Sequence, residues 1–99
     1  MAEAGFALKW RHAALADLEE IFEFVASDNP AAAVRLAFAI SAQAERLRLS
    51  PRLGRMGRVP GTREFVVPRL PYVVAYQLRG RRVEILAVVH TSRLWPTNF

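Results

Sequence analysis

Apolar and polar residues alternate along this chain with two different periods. Leu15, Leu18, Phe22 and Val25 are spaced three, four and three apart, with Asp17, Glu19, Glu20 and Glu23 between them. That is one stripe of an α-helix, widened by Ile21 and Phe24. The spacing predicts a helix over 12–27, ending at Ser27-Asp28-Asn29-Pro30. Asn29 is a good N-cap and Pro30 a good first residue for a second helix. That helix is predicted over 30–49, with Ala33, Leu36, Ile40, Ala44 and Leu47 on one stripe. Its many alanines permit close approach of a neighbour. Two helices joined by so short a turn pack as an antiparallel hairpin.

Ser50-Pro51 stops the second helix. The stretch Arg52–Thr62, RLGRMGRVPGT, is punctuated by Gly and Pro, so no regular structure is expected there. Beyond it the apolar runs are short and strand-like: 63–67, 72–78 and 83–90, the last two joined by the basic turn Arg79-Gly80-Arg81-Arg82. A short alternating run over 6–10 adds a strand at the start. In the last strand, strict alternation puts Val83, Ile85, Ala87 and Val89 on one face, expected to pack on the helices. It puts Glu84, Leu86, Val88 and His90 on the other, so His90 is expected to point away from the core. The reading is α+β: an N-terminal strand, then an antiparallel helix hairpin packed on a small, mostly antiparallel sheet, with residues 1–99 as a single domain.

Charge changes the picture more than composition does. Hydrophobic residues make up 53% and charged residues 23%, which is globular composition rather than disorder. The net charge of +5 is segregated. Residues 1–45 carry three basic and seven acidic side chains, a net −4, while residues 46–99 carry eleven arginines and two glutamates, a net +9. Such a dipolar chain steers an acidic partner to one side of itself. There is no cysteine, and the two histidines stand far apart, so neither a metal nor another cofactor is expected. The start, MAEAGFALKW, lacks a basic segment followed by a long apolar run, and no apolar run approaches the about 20 residues of a membrane span. No signal peptide or membrane association is expected, and the expected location is the cytoplasm.

Several residues in this order and spacing carry a resemblance. They are Leu15…Asp17-Leu18…Ile21, Ser50-Pro51-Arg52-Leu-Gly, Gly61-Thr62-Arg63-Glu64-Phe65, Tyr72-Val-Val-Ala-Tyr76, Val83 to His90, and Arg93…Trp95-Pro96. Together they resemble the RelE/ParE superfamily, the toxins of type II toxin–antitoxin systems. The resemblance implies growth inhibition by one of two activities: ribosome-dependent cleavage of mRNA, as in RelE-like members, or inhibition of DNA gyrase, as in ParE-like members. It also implies neutralisation by a cognate antitoxin, with operator DNA reached only through that antitoxin.

For a nuclease the resemblance marks Arg63, facing the phosphate, and His90, moving a proton. Other readings compete: Arg63 pairing with Glu84 across the strands, and His90 capping a strand end. The nuclease lysines are missing, since Lys9 is the sole lysine, and Thr91, Ser92 and Trp95 stand where an aromatic hydroxyl is often found. These departures favour the ParE-like reading, which has no bond to break. The candidate antitoxin- or target-binding residues are Arg52, Arg55, Arg58, Arg63, Leu86, Val88, His90, Arg93 and Trp95. Arg79, Arg81 and Arg82 read as a solvated hairpin tip.

Overall fold

A computed structural model describes residues 5–93 and 95–99. Its elements are β1 (Ala7–Trp10), α1 (His12–Ala26), α2 (Pro30–Glu45), β2 (Arg55–Met56), β3 (Arg63–Val66), β4 (Tyr72–Arg79) and β5 (Arg82–His90). A 3-10 turn, Arg46–Arg48, extends α2. The hairpin forms as its caps dictate: Asn29 Oδ1 accepts from Ala32 N at 3.1 Å, and Pro30 opens α2. The five strands lie in the order β1-β5-β4-β3-β2. Only β1 and β5 run parallel, because the helix hairpin carries the chain away from β1 before it returns. The fold is α+β, two helices on a mostly antiparallel sheet.

The stretch over 52–62 is not wholly irregular. Arg55 and Met56 pair with Glu64 and Arg63 as a two-residue edge strand. Its position depends on Tyr76, which is fully buried. The Tyr76 hydroxyl donates to Pro51 O at 2.7 Å and accepts from Gly54 N at 2.8 Å. Glycine is required at 54 by close approach: an added Cβ would lie 2.7 Å from the Tyr76 ring.

The register of β5 departs from simple alternation. Ala75 and Tyr76 are adjacent on β4, yet they oppose Ala87 and Ile85, so Leu86 is an extra residue, a β-bulge. The bulge reverses the phase of everything after it. Val83, Ile85 and Val88 belong to the core beneath the helices, with Ile40, Leu47, Val74 and Tyr76. Ala87 and Val89 join Ala75 and Trp95 on the opposite, open face. The expectation that Ala87 and Val89 pack on the helices, and that Val88 and His90 face away, is therefore corrected. Leu86 and Val88, expected on an accessible second face, are both buried within the chain. His90 turns to the helix side, where its ring meets Tyr72 edge-on at 5.1 Å. The α1 stripe also needs one correction: Leu18, Phe22 and Val25 are half-buried, but Leu15 is 47% exposed.

β1 spans only the first half of β5, and α1 closes the rest of that edge. Asp17 reaches from α1 to accept from Val88 N at 2.9 Å. No helix among the described residues is long and apolar enough to cross a membrane.

Replacing Tyr76 by Phe strands the Gly54 N–H and the Pro51 carbonyl without their partner. The expected loss is about 1–3 kcal/mol of unfolding free energy, measured by urea denaturation with an unchanged m-value. An unchanged midpoint would mean that this hydroxyl does not hold the segment.

Candidate functional site

The open face of the sheet is organised by two glutamates. Glu64 opposes Ala75 and Glu84 opposes Gln77, so the two point to the same side, two residues apart along β4. Both are buried, at 3% exposure each. A buried carboxylate is tolerable only when paired and hydrogen-bonded, and both are. Glu64 accepts from Arg58 N at 2.8 Å, Arg58 Nε at 3.1 Å and Arg55 Nη2 at 3.2 Å. Glu84 accepts from Arg82 Nε at 2.8 Å, Gln77 Nε2 at 2.9 Å and Arg11 Nη2 at 3.0 Å, with Arg79 Nε at 3.9 Å. The bonds from Gln77, Arg11 and Arg82 pull the Glu84 carboxyl down to about 2. At Glu64 burial pushes the pKa up, but the hydrogen bonds from Arg58 and Arg55 outweigh it and leave it lowered.

The result is five arginines gathered around two acids on one face. Their charged heads stay about half exposed while the carboxylates do not. Arg58 also stacks over the Trp95 ring at 3.9 Å, so the tail is held to the same face by a cation–π contact. Trp95 lies on Ala75, Ala87 and Val89, and Leu86 is buried beside Asn98 and Phe99.

The candidates named from the sequence fall in different places. Arg55, Arg58 and Trp95 come together on the open face. Arg52 is exposed beside them in the chain, and its carbonyl faces Arg63 Nη1 at 3.5 Å. Arg63 lies on the helix side, opposite Tyr76, and donates to Gly54 O at 2.8 Å. It does not pair with Glu84, which sits on the other face. Arg93 is exposed and lies 3.8 Å from Glu20 of α1. It borders a groove of about 510 Å³ lined by Ile21, Phe24, Val25, Tyr72, Val88 and His90. His90 Nδ1 is 2.8 Å from the Ser92 hydroxyl. Among the described residues no cluster of His, Asp and Glu is placed to hold a metal ion.

Sequence reasoning missed Arg11, Gln77, Glu64 and Glu84, and it set Arg79 and Arg82 aside as solvated. One signal was available: Glu64 and Glu84 are the only acidic residues of the basic half, and each sits inside an apolar strand.

Residues 8–95 match the family described as ParE toxin of type II toxin–antitoxin system, parDE. The chain belongs to that family. Among its relatives, the Y4kP protein of Sinorhizobium fredii is 38% identical over 90% of this chain and 92% of its own. Toxin RelE2 of Caulobacter vibrioides is 34% identical over 86% of this chain and 94% of its own. The solved chromosomal ParDE system of P. aeruginosa contains a chain that superposes with a TM-score of 0.81 at 27% identity, over 88% of this chain and 97% of that one. A chain of the RelBE2 toxin–antitoxin complex of Mycobacterium tuberculosis gives 0.55 at 25% identity, over 88% and 99%.

The carboxylate cages set a pH dependence. Glu84 titrates near 2 when folded against an ordinary 4.5, and Glu64 is lowered too. Their contribution is complete above about pH 4.5 and is lost as pH falls through the folded values. Asp17 acts in the opposite sense, since burial raises its pKa, so acid does not remove stability there. Thermal midpoints should therefore fall steeply on acidification below pH 4.5. In Glu84→Gln the start is lower and the slope shallower. Parallel slopes in the two proteins would contradict the cage at Glu84.

Proposed function

We propose that this protein is the toxin of a type II toxin–antitoxin module, acting as a ParE-like inhibitor of DNA gyrase and neutralised by a cognate antitoxin. The observation that carries the choice of target is the separation of Arg63 and His90. Both face the helix side, but Arg63 opposes Tyr76 and His90 opposes Tyr72. Four residues of strand put them about 13 Å apart along β4, with about 10 Å more across two strand spacings. Arg63 is further committed to Gly54 O. A phosphate between them would need both side chains extended toward each other, whereas the Arg63 guanidinium is held at the Gly54 carbonyl. With Lys9 as the sole lysine, the chain is better equipped to bind than to cut. Toxicity then resides in a binding surface, whose energy is concentrated in a few anchors.

The antitoxin reading rests on the open face. Arg11, Arg55, Arg58, Arg79 and Arg82 outnumber Glu64 and Glu84, which leaves donors free for the carboxylates of an acidic partner. Charge-assisted contacts of this kind contribute about 1.5–3 kcal/mol each when desolvated. The solved ParDE and RelBE2 relatives are toxin–antitoxin assemblies, which supports a partner of the same kind here. The named similarity to Toxin RelE2 favours a second reading, a ribosome-dependent mRNA endonuclease.

Induction in cells separates the two. The gyrase reading predicts SOS induction and filamentation, with toxicity largely retained by His90→Ala. Discrete A-site cleavages by primer extension, abolished together with toxicity in both His90→Ala and Arg63→Ala, would establish the nuclease instead.

A further inference from the structure

The helix hairpin presents a second surface, opposite in chemistry to the arginine face. Its inward residues are small or well buried: Ala14, Ala33, Ile40 and Ala44. Its outward residues are not. Phe38 is 74% exposed, Val34 53% and Leu15 47%. Lone apolar residues on a surface carry no message, whereas a contiguous strip marks a contact.

These residues are contiguous. Val34 and Phe38 stand one turn apart on α2 and form a ridge. α1 ends at Ala26 and α2 begins at Pro30, so the antiparallel pair brings Phe22 level with Val34 and Leu18 level with Phe38. Asp17, Glu20 and Phe24 line the groove beside β5. At about 100° per residue, the opposite flank of α1, the one that meets α2, carries Leu15, Glu19 and Phe22. On α2 the flank that meets α1 carries Val34, Ser41 and, further outward, Phe38. Leu15, Phe22, Val34 and Phe38 therefore follow one seam.

The rim of that seam is acidic along α1, with Glu19 and Glu23, and at the hairpin tip, with Asp28. None of the three has an ion-pair partner among the described residues. The one cation flanking the ridge is Arg35 of α2.

We propose that this seam docks a basic amphipathic helix of a protein partner. Its apolar side would lie on Leu15, Phe22, Val34 and Phe38, and its Lys or Arg side chains would face Glu19, Glu23 and Asp28. A second copy fits poorly, because each copy brings one cation, Arg35, against Glu19, Glu23 and Asp28, so a self-complementary contact leaves an excess of acids. An acidic segment suited to the arginine face is repelled here for the same reason. The two faces thus select partners of opposite sign, and both can be held at once.

The probe is a labelled amphipathic peptide of Leu and Lys about 18 residues long, five turns of helix, titrated by fluorescence anisotropy into the full-length protein. A Leu/Glu peptide of the same length is the control. The proposal expects saturable binding of the Lys peptide only. Phe38→Ser should weaken it roughly tenfold, as loss of an interface anchor does. Glu19→Gln with Glu23→Gln should weaken it and flatten its salt dependence, while Arg81→Ala, at the exposed hairpin tip, should leave it unchanged. All four positions are exposed, so the variants should fold. Absence of saturable binding, indifference to Phe38→Ser, or equal binding of the Leu/Glu peptide would overturn the proposal. So would a wild-type dimer that Phe38→Ser makes monomeric, or displacement of the peptide by the cognate antitoxin. None of these outcomes bears on the choice between gyrase and ribosome.

Discussion

Burial of Glu64 and Glu84 is the constraint on which the open face depends. Removing a carboxylate from water costs several kcal/mol unless donors replace the lost hydration. Each of these acids accepts three or more hydrogen bonds from within the chain. Arginine suits the task because its planar fork satisfies a carboxylate while the rest of its donors stay free. The acids order the arginines, and the arginines make burial of the acids possible. The outcome is a fixed excess of positive charge on a sheet rather than a fringe of mobile side chains. Arg58 extends the arrangement to the tail by stacking over Trp95.

The other face of the same sheet follows different rules. It is apolar and covered by the hairpin, and Tyr76 anchors the segment before β3 from within it. The bulge at Leu86 lets β5 serve both faces. Before the bulge the strand turns Val83 and Ile85 to the helices and Glu84 to the arginines. After it, Val88 stays under α1 while Ala87 and Val89 provide a flat floor for Trp95. Small residues at 75 and 87 let the indole lie close to the sheet.

The hairpin, its caps and most strand positions were legible because helical period, Asn29-Pro30 and the stop at Pro51 are local signals. The β2 pairing was not, because two residues between glycines leave no period to read. The bulge was hidden for a related reason. Leu86 to Val89 is apolar throughout, so no polar residue marks the phase of the strand, and a slip of one residue exchanges the faces. That slip misplaced Val88 and His90. The arginine cages were half visible: charge segregation pointed to the basic half, but which arginines converge depends on register. Arg11 lies outside that half altogether and reaches Glu84 from the end of the neighbouring strand β1.

The proposal that the open face docks an acidic antitoxin rests on this fixed excess of positive charge. Its most direct test is the association rate of the cognate antitoxin with the wild-type protein and with Arg55→Ala/Arg82→Ala, followed from dilute to near-molar salt. The account predicts a rate that falls steeply with salt in the wild type and a slower, flatter dependence in the variant. A wild-type rate indifferent to salt, or a variant with the wild-type slope, would contradict it.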